Sequence, residues 1–109
     1  MPKLPKRFVK FTKDFPDVAK AYEALGDQVH AAGPLNAKTR ALLKLAISIG
    51  ARLEGSVHAH ARKALAIGAT QEELHHTALL SLPTIGFPSM IAALSLIDDV
   101  LSEEPSRKR

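Results

Sequence analysis

Apolar residues recur three and four positions apart along most of the chain, with no strand-type alternation competing, so the pattern predicts an all-α protein of about five helices. A first helix is expected from Asp14–Pro16, with Asp as capping acceptor and Pro in the first turn. Phe15, Val18, Tyr22, Leu25 and Val29 supply its apolar face, and Gly33-Pro34 stops it. Asn36 caps the second, whose stripe is Leu42, Leu45, Ala46, Ile49 and Leu53, widened by Leu43 and Ile47. Its polar ridge, Arg40, Lys44, Ser48 and Arg52, repeats every fourth residue, and the otherwise apolar surface predicts a place at the centre of the bundle. The third helix runs to Ile67, with Gly68 as its left-handed terminus, and Thr70-Gln-Glu-Glu73 then matches a capping box opening a fourth that continues to Leu82. Pro88 fits the first turn of a fifth helix with Met90, Ile91, Leu94, Ile97 and Leu101 on its buried face.

Composition narrows the class. The 109 residues are 46% apolar, enough for one modest core, and with few aromatics that core is aliphatic. The net charge of +4 is concentrated at the ends. Lys3, Lys6, Arg7, Lys10 and Lys13 stand among residues 1–13 with no acid, and Arg107, Lys108 and Arg109 close the chain. Between them seven basic residues face eleven acidic ones. The expected organisation is a basic arm at 1–13, a helical domain at 14–104 and a basic tail at 105–109. Without an aromatic platform or recognition motif the tails read as solvated, with no nucleic-acid or membrane partner. The charge-free run from Thr77 to Ile97 is broken by Pro83, Gly86 and Pro88 and reads as two buried helical pieces. No apolar run of signal-peptide length follows the basic N-terminus, so a cytoplasmic location is expected. The chain has no cysteine, which excludes disulfides, a thiolate nucleophile and Cys-ligated metal.

The third helix opens with Glu54, Ser56, His58, His60 and Arg62 at every second position. At about 100° per residue, Leu53, Val57, Ala61 and Ala64 define its inward arc. Ser56 and His60, four apart, lie on or beside that arc as an inner pair, while Glu54–His58 forms a flanking pair and Arg62 lies toward the edge. The His58-x-His60 rings diverge by about 200° and those of His75-His76 by about 100°, so neither pair is spaced for one ion and no metal or other cofactor is expected.

Taken in order, "LNAKTRALLKLAISIGA" and "LEGSVHAHARKALAIGATQEELHHTALLSLPTIGFP" resemble the carboxymuconolactone decarboxylase and alkylhydroperoxidase D-like superfamily over Phe15 to Val100. The elements are Leu-x-x-x-x-Arg opening the second helix, His60 followed by Ala64-Leu65 and Gly68-Ala69-Thr70, and then Glu72-Glu73. The peroxidase branch of that superfamily places a Cys-x-x-Cys pair before the helix histidine and a glutamate in the preceding helix. Here those positions are Leu53, Ser56 and Ala41, and only His60 remains. Neither leucine nor a serine hydroxyl replaces thiolate redox chemistry. The decarboxylase branch lacks the cysteine pair and keeps the histidine. Its resemblance implies His60 as proton donor to a dienolate and an arginine, Arg40, Arg52 or Arg62, as carboxylate anchor.

The resemblance also implies a homotrimer or homohexamer with a pocket between subunits, and the apolar surface of the second, fourth and fifth helices agrees. Two readings stand side by side. In one the chain is a cofactor-free acid/base enzyme on a small carboxylated or lactone substrate, with His60, Ser56 and Glu54 catalytic and His58, Arg62 and Arg52 binding. In the other it is a non-catalytic helical oligomer. A peroxidase supplied with thiols by another protein is disfavoured.

Overall fold

The computed structural model describes residues 6–103, which are helical throughout apart from turns and short linkers. Two compact units divide at Asn36–Ala37. The first contains α1 (Lys6–Asp14) and α2 (Pro16–Ala31). Helix α1 occupies much of the stretch read from sequence as a basic arm and ends one residue beyond it, at Asp14. Its Lys10 pairs with Asp14 at 3.1 Å, and Phe11 meets Phe15 with ring centroids 5.6 Å apart. Helix α2 begins with Pro16 in its first turn, as expected, but Phe15 and not Asp14 stands at its N-cap and no side chain caps it. Its whole predicted apolar face, Phe15, Val18, Tyr22, Leu25 and Val29, is nevertheless exposed, and neither α1 nor α2 contains a buried residue. The tail at 105–109 lies outside the described residues.

The second unit contains α3 (Ala37–Ala51), α4 (Glu54–Ala66), α5 (Gln71–Leu79), the single turn α6 (Leu82–Ile85) and α7 (Phe87–Ser102). Its start and stop signals are local. The Thr70 hydroxyl accepts from the Glu73 amide at 3.1 Å, and the Glu73 carboxylate accepts from the Thr70 amide at 2.9 Å, completing the capping box. Lys38, 2.8 Å from Glu73, and the Thr70 amide hold that carboxyl below its usual range. At the break before α7, Gly86 has φ +100°, a conformation that a side chain would strain, and Pro88 occupies the first turn.

The core joins Leu45 and Ile49 of α3, Val57, Ala61, Ala64 and Leu65 of α4, Leu74 and Ala78 of α5, and Ala93, Ile97 and Val100 of α7. Helix α4 packs on α3, α5 and α7, so it, rather than the more apolar α3, is central to this unit. The predicted α3 stripe is also rotated. Ala46 and Leu53 are exposed with Leu43 and Ile47, while Ser48, read as part of a polar ridge, is buried. Composition misleads here because burial follows the neighbour, and alanines on α4 admit a close neighbour that larger side chains would keep away. Likewise Ala93 and Val100 replace Ile91 on the buried face of α7.

Leu74 is fully enclosed, so Leu74→Ala is expected to cost about 2–5 kcal/mol in urea unfolding. Thr70→Ala, which removes the cap without opening the core, is expected to cost about 1 kcal/mol.

Candidate functional site

The two polar edges of α4 meet different helices. On the α3 side, Ser56 Oγ lies 2.7 Å from Ser48 Oγ, and the Ser48 hydroxyl donates to the Lys44 carbonyl at 3.0 Å. With its one hydrogen on that carbonyl, Ser48 accepts from Ser56, leaving the remaining lone pairs of Ser56 as acceptors. His60, one turn further along α4, is half-buried. Burial, then the ammonium groups of Lys63 and Lys44, push its pKa down to about 4. Lys44 is itself pushed below its ordinary value by burial and by the neighbouring charges of Lys63 and Arg40. The result is a neutral, half-buried imidazole in a positive field, one turn along α4 from the Ser48–Ser56 pair.

On the α7 side, the geometry ties basic groups to acids. His58 Nε2 lies 3.1 Å from Asp99 Oδ2, so its ring pairs with α7 instead of Glu54. The Arg62 guanidinium makes a two-pronged contact with Glu103, Nε donating at 2.8 Å and Nη2 at 2.7 Å, and this raises its pKa. His75 of α5 reaches Asp98 at 2.8 Å in the same manner. His58 and Arg62, predicted to bind substrate, thus both hold carboxylates of the chain itself. Arg52 and Glu54 line a separate groove with Val57 and residues of α7. No group of three or more potential ligands able to hold a metal ion occurs among the described residues.

Of the six residues singled out from sequence, the fold brings Ser56 and His60 to the α3 edge, His58 and Arg62 to the α7 edge, and Arg52 and Glu54 to the groove. Lys44, Ser48 and Lys63 were missed. The available signal was the four-residue ridge Arg40–Lys44–Ser48–Arg52 on an otherwise apolar helix, which faces α4 in part.

This helical arrangement has relatives. The model of the carboxymuconolactone decarboxylase family matches residues 16–99, and the chain belongs to that family. An uncharacterized protein from Haemophilus influenzae is 39% identical over 59 residues, which are 54% of this chain and 52% of that one, so the chain spans about half the length of that relative. The crystal structure of an apo carboxymuconolactone decarboxylase family protein from Legionella pneumophila superposes with a TM-score of 0.75 over 88% of this chain and 86% of that one. At 24% identity the likeness is one of fold. No described helix is long and apolar enough to cross a membrane.

A lowered histidine pKa has a definite sign in stability. Between about pH 4 and 6.5 the unfolded chain binds the proton that folded His60 resists, so the His60 contribution is retained above 6.5 and lost as pH falls toward 4. An NMR titration of the full chain is expected to place His60 near 4. The slope of stability with pH across this window is expected to flatten in His60→Gln, and an unchanged slope would count against the burial of this ring.

Proposed function

We propose that the chain is a cofactor-free acid/base catalyst acting on a small carboxylated or lactone substrate through His60. The observation that carries this is the neutral, half-buried imidazole facing Lys63 and Lys44. Two cations beside a desolvated base favour an anionic ligand. A bound carboxylate would offset their charge and raise the His60 pKa, making the ring protonatable in the complex but not in the free protein. In a decarboxylation, the bond to the carboxylate carbon breaks, CO2 leaves and the electron pair passes into a dienolate. The imidazolium delivers its proton to carbon, and solvent reprotonates the ring. The acceptor face of Ser56 would orient a substrate hydroxyl or the His60 N–H. Cytoplasmic location is retained as an expectation of this reading. With no cysteine in the chain, peroxide turnover with a thiol reductant is expected to be absent.

We also propose that the protein acts as a homo-oligomer. Phe15 and four exposed apolar side chains on α2 in one unit, and Leu43 and Ile47 on α3 in the other, are more than a small monomer ordinarily leaves in water. A non-catalytic oligomer remains the second reading, favoured by this surface alone.

A screen of small mono- and dicarboxylates and lactone acids is expected to yield a ligand or substrate whose turnover falls about 100-fold or more in His60→Ala and whose binding weakens in Lys44→Gln. Turnover unaffected by His60→Ala would overturn the catalytic reading. By light scattering, wild type is expected above the 11.7 kDa monomer mass and Tyr22→Glu at a smaller size.

A further inference from the structure

The turn between α3 and α4 uses an unexpected residue. After Ala51, the Arg52 amide donates to the Ile49 carbonyl at 3.1 Å and the Leu53 amide to the Ser48 carbonyl at 3.1 Å. These are the paired bonds of a Schellman terminus, which puts one residue in the left-handed region. The chain ends α4 with the same pair, Gly68 to Leu65 and Ala69 to Ala64, and there the left-handed residue is glycine, at φ +102°. At the end of α3 it is Arg52, at φ +59°, the one non-glycine residue with positive φ among those described. The fold would be served better by glycine at this position. Nor does the side chain compensate, since the Arg52 guanidinium makes no ion pair or hydrogen bond among the described residues. A strained residue whose side chain does nothing for the fold points to a task outside it.

That side chain lies on a groove of about 630 Å³, a size suited to a small molecule. Ile49, Val57, Ile85 and Leu96 give the groove an apolar lining, and the small Ala92 and Ala93 leave room along α7. Its polar groups are Arg52, Glu54 and the hydroxyls of Ser89 and Ser95, neither of which is hydrogen-bonded among the described residues. His60 is not among its lining residues. One guanidinium and two unengaged hydroxyls beside an apolar trough match a carboxylate attached to an aliphatic body. The Glu54 carboxylate disfavours a second negative charge.

We infer that the groove between the α3–α4 turn and α7 is a ligand site separate from the surroundings of His60, taking a small monocarboxylate with an apolar tail, anchored by Arg52. This inference does not depend on the catalytic reading of His60. The left-handed backbone sets the guanidinium at the groove, and Ser89 and Ser95 supply donors for the remaining carboxylate lone pairs.

The test is a titration of the ¹⁵N-labelled full chain with octanoate, using acetate and octanol as controls lacking tail and charge respectively. Saturable amide shifts are expected at Ala92, Ala93 and Leu96 with octanoate, much weaker with either control, and retained in His60→Ala. Arg52→Gly suits the backbone, so it is expected to match or exceed the wild-type melting temperature while losing about tenfold or more in octanoate affinity. Ala92→Leu, at an exposed position, is expected to leave the fold intact and block binding. Equal affinity in Arg52→Gly, or shifts confined to the surroundings of His60, would overturn the inference. So would concentration-dependent broadening of the same groove amides without ligand, because the groove would then be covered by a second copy.

Discussion

The seam of small residues along α4 is the constraint on which the larger unit depends. Val57, Ala61 and Ala64 are almost completely enclosed, and they let α4 approach α3 and α7 at the same time. A helix held closely on two sides has narrow polar margins, and each margin is committed to one neighbour. This explains the alternation of polar residues at the start of α4. Ser56 and His60 fall on the edge facing Ser48 and Lys44, while His58 and Arg62 fall on the edge facing Asp99 and Glu103. An enlarged side chain at Ala61 or Ala64 would disturb both margins together.

The acidic balance of the chain body acquires a structural meaning in α7. Asp98, Asp99 and Glu103 each receive a basic side chain from another helix, His75, His58 and Arg62 respectively. These contacts run along one helix and fasten α4 and α5 to it. The body is therefore acidic in part because its last helix carries the carboxylates that fasten the others. The basic residues of α4 divide accordingly between those neutralised by α7 and Lys63, which adds to the positive field around His60.

What was legible in the sequence follows the range of the interactions involved. Gly68, the Thr70–Glu73 box and Pro88 marked helix ends correctly, because each signal acts within a few residues of itself. The face each helix buries was read less well. Spacing puts Ser48 on a polar ridge and Leu53 on the apolar stripe, yet their environments depend on α4 and on the turn, not on α3 alone. Helix α1 was missed because its nine residues read as a charge run rather than an apolar stripe. Within the site, Ser56 and His60 could be paired by their spacing on one helix. Lys44 and Ser48 stand on another helix, and no periodicity within α4 points across to them. The conformation of Arg52 was unreadable, since nothing in its side chain announces a positive φ.

The positive field around His60 carries one further consequence. A positive field that attracts one small anion attracts others, and chloride, sulfate and phosphate share the charge that Lys44 and Lys63 recognise. Occupancy by any physiological ligand is then a competition with the surrounding electrolyte, so apparent affinity reflects the medium as well as the molecule. Screening lengths of about 8 Å at physiological salt weaken long-range attraction to the exposed Lys63 more than contacts made against the half-buried imidazole. Selectivity must therefore come from the fit around the imidazole and the serine pair, where inorganic ions lack the carbon skeleton of an organic acid.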